Sequence, residues 1–194
     1  MRVVVLISGR GSNLGALLEA EAEGRLGLAS IVGVASDMEG ALGLSLAREA
    51  GVESAVLPPD WVEGLARFLD RMEAELLCLA GFMKIIPSKI IRRMEGRILN
   101  IHPSLLPAFP GLGVHQRVLA SGLPVSGCTV HWVDEGVDTG RVAGQRMVGV
   151  KRGDTPKTLA ARVLREEHIL YSEVVGALSK ERVKRANGGG KGGA

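Results

Sequence analysis

At 194 residues the chain is long enough for one domain with a substantial core, or for one domain and a small extension. Hydrophobic residues make up 46% of it but aromatic residues only 3%, so the core is aliphatic and stacking on nucleic-acid bases is excluded as its main business. The formal charge is +3, but Lys180, Arg182, Lys184, Arg185 and Lys191 against Glu181 place +4 in the last fifteen residues; the body, near −1, predicts no nucleic-acid partner.

An uninterrupted β-branched and aliphatic run, Arg2 to Ile7, predicts a buried parallel strand. It is far too short to cross a membrane, and without a secretory segment the chain is predicted to be cytoplasmic, with no membrane partner. Ser8-Gly9-Arg10-Gly11-Ser12-Asn13 breaks the strand, and Leu14 to Ala20 resumes at helical spacing. Glycines let backbone N–H groups approach a ligand closely, and a helix N-terminus adds free N–H groups and partial positive charge. The unit therefore suits an anion such as phosphate, with Ser12 and Asn13 as further donors. It lacks the third glycine of the dinucleotide fingerprint and the Gly-Lys-Ser/Thr of a Walker loop. A glycine-rich turn with Ser12 or Asn13 capping the helix remains the alternative.

Ala29 to Ser36 predicts a second strand, and Ala41 to Ala50 a helix closed by Gly51. Val52 to Leu57 predicts a third strand, ended by Pro58-Pro59, after which Asp60 caps a helix reaching about Met72. Trp61, Leu65, Phe68 and Leu69 share one face of that helix and predict core packing. Leu76 to Ala80 predicts a fourth strand, followed by the loop Gly81-Phe82-Met83-Lys84-Ile85-Ile86-Pro87. Cys78 here and Cys128 further on both lie in apolar runs and are predicted to be buried free thiols.

The fifth strand, Arg97 to Ile101, runs into His102-Pro103-Ser104-Leu105-Leu106-Pro107, where the prolines stop regular structure. Asn100 and His102 then sit at a strand's carboxyl end, where open α/β sheets bind ligands, and residues two apart point to the same face. An amide that donates to an oxyanion beside an imidazole that moves a proton suits acyl transfer. From spacing alone, Asn100 ending the strand beside a hydrogen-bonded edge histidine stays open. The βαβα order of these first hundred residues predicts a parallel sheet with right-handed crossovers.

Gly113 to Ser121 predicts a short helix. Val125 to Val133 and Val142 to Val150 are β-rich and hairpin-like around the acidic loop Asp134-Glu135-Gly136-Val137-Asp138-Thr139-Gly140. Asp138 matters only if the sheet brings it to His102, where a carboxylate orients the ring and favours its cation. Asp154 or Thr155 then caps, and Pro156 opens, a long helix to about Ser179. Residues 1–180 form the predicted domain; residues 181–194 are a basic, glycine-rich tail, with Asn187 to Ala194 expected to be disordered. Four scattered histidines without matching cysteines predict no metal site, and no Gly-x-Ser-x-Gly elbow occurs. Only three Asn are present; Asn187 lies in the tail, while Asn13 and Asn100 each fall inside a candidate motif.

In order and spacing, Gly9-Arg10-Gly11-Ser12-Asn13, Ala80-Gly81-Phe82-Met83, Asn100-Ile101-His102-Pro103-Ser104-Leu105-Leu106-Pro107, Pro110-Gly111-Leu112 and Asp134 to Gly140 resemble the phosphoribosylglycinamide formyltransferases, a branch of the folate-dependent formyltransferases. The resemblance covers residues 1 to about 180. It implies an α/β Rossmann-like formyltransferase fold: a mostly parallel twisted sheet with an antiparallel C-terminal strand pair and a long C-terminal helix. It also implies transfer of a formyl group from 10-formyltetrahydrofolate, as co-substrate, to the amine of glycinamide ribotide in purine biosynthesis. By this likeness Gly11, Ser12 and Asn13 hold the substrate phosphate, and Glu167 serves the ribotide. Met83, Lys84, Ile85 and Ile86, with Asp134, Glu135, Gly136 and Val137, match the folate pocket; Asn100, His102 and Asp138 match the catalytic trio.

Two departures stand out. Pro58-Pro59-Asp60-Trp61 occupies a shortened segment where many relatives carry an Arg that reaches the folate, and Lys84 replaces a commoner Arg, keeping the charge but not the bidentate fork. The rival readings are a formyltetrahydrofolate hydrolase, which adds an N-terminal regulatory domain, a methionyl-tRNA formyltransferase, which adds a C-terminal one, and a non-catalytic ribotide-binding protein. Whether the chain is a monomer or a homodimer is left open by the sequence.

Overall fold

The computed structural model describes residues 1–188; the remainder of the glycine-rich tail lies outside the described residues. The elements alternate in chain order: β1 (Arg2–Ile7), α1 (Ser12–Ala22), β2 (Ser30–Ser36), α2 (Leu42–Glu49), β3 (Ser54–Val56), α3 (Trp61–Arg71), β4 (Leu76–Leu79), α4 (Ser88–Arg93) and β5 (Ile98–His102). Then come α5 (Val114–Ser121), β6 (Val125–Trp132), β7 (Val142–Gly149) and α6 (Pro156–Gly188). The seven strands form one sheet in the order β3-β2-β1-β4-β5-β6-β7. β1 to β5 run parallel, and β6 and β7 add an antiparallel pair at the β5 edge.

β1 shows why the sheet is covered on both sides. Val3, Val5 and Ile7 face one hydrophobic layer with Leu14 and Leu17 of α1, Val114 and Val118 of α5, and Leu159, Val163 and Tyr171 of α6. Val4 and Leu6 face the other, with Leu65, Phe68 and Leu69 of α3 and Ile90 and Met94 at α4. Strand geometry sends alternate residues to opposite faces, so only an unbroken aliphatic run fills both layers. The Tyr171 hydroxyl lies 3.1 Å from the carbonyls of both Leu79 and Leu99, which pins α6 to the two strands nearest the site. Cys78 and Cys128 are buried free thiols, each pushed up to about 12 by burial.

Chain order runs outward from β1 to β3, then returns to β4 on the other side of β1. The sheet's switch point therefore lies between β1 and β4, and the crevice outside their carboxyl ends is where such sheets take ligands.

Several boundaries differ from the predicted ones. α4 was not expected: six residues between Pro87 and Gly96 are too few to show a periodicity. Asp60 stands at the N-cap of α3 but makes no side-chain capping bond. α1 starts at Ser12, with Gly11 as its cap residue in a left-handed conformation, φ +74°, so neither Ser12 nor Asn13 caps it. At α6 the cap is Thr155, whose Oγ1 accepts the Thr158 N–H at 3.2 Å, and Pro156 takes the first turn. That helix passes the expected end at Ser179 and reaches Gly188, since Lys180 to Ala186 contains no breaker.

Candidate active site

β5 carries Ile98, Asn100 and His102 toward the α3–α4 side and Leu99 and Ile101 toward the other. β6 pairs with it antiparallel, setting His131 opposite Asn100 and Thr129 opposite His102. Asn100, His102, Thr129 and His131 thus share one face at the end of the sheet.

The loop after β6 completes the cluster. It leaves Trp132 beside Leu99 and doubles back, so that Asp138 Oδ2 comes within 3.2 Å of His102 Nδ1 and Asp138 Oδ1 within 3.5 Å of His131 Nε2. Asp138 also accepts the Gly111 N–H at 2.8 Å. These contacts, the His131 bond foremost, hold its carboxyl down at about 2. The residue adopts φ +56°, a conformation that Asp tolerates better than most side chains.

His102 has acceptors at both ends, Asp138 on Nδ1 and the Phe109 carbonyl 2.9 Å from Nε2. A neutral imidazole donates from one nitrogen only, so the pocket holds one bond in reserve for the cation. The carboxylate does favour that cation, but burial opposes it more strongly and the net displacement of the His102 pKa is downward. The expected pull of Asp138 toward the cation is thus present, and burial outweighs it.

The proline-rich loop is held in place by buried polar groups. Thr129 Oγ1 donates to Ser104 O at 2.6 Å and accepts the Leu106 N–H at 3.0 Å, while Gln145 Nε2 donates to Leu106 O at 2.8 Å. His131 and Gln145 were missed in the sequence because nothing local marks a residue on a neighbouring antiparallel strand.

The glycine loop stands at the same edge of the sheet, two strand spacings away, about 10 Å. Lacking partners four residues back, the N–H groups of Ser12, Asn13 and Leu14 open the first turn of α1. Asn13 turns inward: its Nδ2 donates to Glu167 Oε2 at 2.8 Å, and both residues are more than nine-tenths buried. Burial raises the Glu167 carboxyl above the usual range despite that bond. Gly11 is irreplaceable for two reasons, its positive φ and a Cβ that would fall 2.7 Å from Gly43 Cα of α2. Gly11→Ala is expected to lose about 2 kcal/mol of stability, read by denaturant unfolding.

The 81–87 loop leaves β4 at the crevice. Met83 and Ile85 are 68% and 75% exposed, whereas Ile86 is buried. Lys84 Nζ lies 3.3 Å from Asp37 Oδ2 and 5.5 Å from the Trp61 ring centre. Asp37 is nearly buried and also takes the Ser8 hydroxyl at 2.6 Å. The positive charge of Lys84 is thus already matched within the protein. In the other loop, Asp134 accepts the Gly136 N–H and the Thr139 hydroxyl, Glu135 stands 3.7 Å from Arg92, and Val137 is exposed. Among the described residues no group of three His, Cys, Asp or Glu is placed to hold a metal ion, and no helix is long and apolar enough to cross a membrane.

Comparison with known proteins follows the same lines. A family profile described as "Formyl transferase" matches residues 1–175. A chloroplastic phosphoribosylglycinamide formyltransferase from Vigna unguiculata is 44% identical over 94% of this chain and 62% of that protein. The trifunctional purine biosynthetic protein adenosine-3 of Drosophila pseudoobscura pseudoobscura is also 44% identical, but this chain spans only 14% of its length. Among solved structures, glycinamide ribonucleotide transformylase 1 from Symbiobacterium toebii superposes with a TM-score of 0.91 at 42% identity, covering 94% of this chain and 89% of that one. With a matching profile across the whole sheet and the first part of α6, and relatives of this identity, the chain belongs to the formyl transferase family.

Proposed function

We propose that this chain transfers the formyl group of 10-formyltetrahydrofolate to the amine of 5-phosphoribosylglycinamide, as its relatives' names indicate for them. The observation that carries the reading is the convergence of Asn100, His102 and Asp138 beside an open helix N-terminus on one edge of the sheet. In this reading the ribotide phosphate sits on the N–H groups of Ser12 and Asn13 behind Gly11, and Glu167, held by Asn13, meets the ribose. A ribose phosphate with a glycinamide arm then spans from β1 to β5. The folate lies between the 83–86 and 134–137 loops, with Met83, Ile85 and Val137 as its apolar contacts. Residues 1–180 are the catalytic unit, the two small molecules its substrates, and the cytoplasm its compartment.

Chemically, the amine attacks the formyl carbon and the carbonyl oxygen gains charge, which an Asn100 N–H stabilises. Neutral His102 accepts the proton the amine sheds. The nitrogen away from Asp138, Nε2, is the one left to exchange it once the Phe109 carbonyl gives way, and Asp138 holds the resulting imidazolium. The same proton then goes to the folate nitrogen as the C–N bond breaks.

The test is formyl loss from 10-formyltetrahydrofolate with and without the ribotide. Loss that requires the ribotide and formylates it supports transfer; loss at equal rate without it makes the protein a hydrolase. Asn13→Ala, which removes the bond that seats Glu167, is expected to raise the ribotide Kd about tenfold in calorimetry and to leave folate affinity unchanged. Equal weakening of both ligands would misplace the phosphate site.

A further inference from the structure

His131 is 3% exposed, lies on β6 opposite Asn100, and makes three polar contacts. Its Nδ1 is 3.0 Å from the Trp132 carbonyl, an acceptor only, so Nδ1 carries a proton in every state. Its Nε2 meets the Asn100 amide nitrogen at 3.2 Å and Asp138 Oδ1 at 3.5 Å. Those two neighbours make opposite demands. Asn100 Nδ2 can only donate, so it needs a bare Nε2; the carboxylate can only accept, so it needs Nε2–H.

We infer that His131 is a positioning residue that sets which end of the Asn100 amide faces the reacting centre. When His131 is neutral, Nε2 accepts one N–H of Asn100 and leaves the second N–H for an oxyanion. Without Nε2 nothing chooses between the two ends of the amide, and its oxygen can stand where the oxyanion needs a donor. The inference rests on the formyl-transfer reading for its consequence in turnover, but not for the amide's orientation.

Two variants of the full chain and one spectrum test it. With only three Asn in the chain, the side-chain amide signals of Asn100 are readily assigned by Asn100→Ser. In the wild type one of the two N–H signals should be displaced and slow to exchange, as the one held by His131 Nε2. In His131→Gln, whose amide oxygen can accept from Asn100, that pattern should persist, and in His131→Leu it should vanish. Turnover should stay within about tenfold in His131→Gln, whereas His131→Leu should lose about 100-fold in kcat with both KM values nearly unchanged. Asn100 signals that are the same in His131→Leu as in the wild type overturn the inference, as does a Gln variant as slow as the Leu variant. The spectrum needs no turnover, so a chain that fails to formylate the ribotide refutes the reaction while the amide's orientation is still decided.

Discussion

Asp138→Asn is expected to cut turnover about 10³-fold, the scale on which losing the carboxylate that orients a catalytic histidine acts elsewhere. The substitution is clean: Asn accepts φ near +56° as readily as Asp, and its amide oxygen can still take the Gly111 N–H. What disappears is the charge facing His102 and His131. Burial already drives the His102 pKa down, and Asp138 is one of the two groups that resist this. Its removal must therefore lower that pKa further, so the ring becomes a weaker base and the imidazolium formed in the reaction loses its counter-charge. NMR titration of His102 gives the sign directly. A pKa that stays or rises in Asp138→Asn would reduce Asp138 to a loop-holding role.

His102→Ala is expected to lose turnover on a similar scale, about 10³-fold, since it removes the ring that takes the amine's proton in the proposed reaction. Ribotide binding should stay within a few-fold, because the proposed phosphate contacts lie about two strand spacings away on α1. Single-turnover transfer with calorimetric ribotide titration separates the two quantities. A binding loss as large as the rate loss would sink the assignment of His102 to proton transfer. The two variants should not be additive: once His102 is gone, Asp138→Asn has little left to remove, and the double variant should resemble His102→Ala.

Much of the architecture was legible along the chain. The aliphatic run of β1, the glycine break at Gly9 and Gly11, and the resumption at helical spacing are all local, and each is dictated by side-chain volume and allowed φ. Asn100 and His102 were equally legible, because a strand stopped by Pro103 places its last residues at a ligand-binding edge. Lys84 shows where local reading ends: its charge can be read from the sequence, but not that Asp37, 47 positions earlier, already neutralises it.

Three things were decided only by tertiary structure. His131 joined the site through the antiparallel register of β6 on β5, a pairing between residues 31 apart that neither strand's own pattern encodes. Asp138 reached His102 because its loop doubles back toward the end of β5, whereas the loop's acidic composition alone left it a solvated turn. The direction of the His102 pKa was decided by burial, a property of everything packed around the ring, which outweighs the single charge that the sequence could suggest. Local stereochemistry and hydrophobic periodicity act between near neighbours and can be read in order along the chain; register, desolvation and charge pairing act between residues that only the folded sheet makes neighbours.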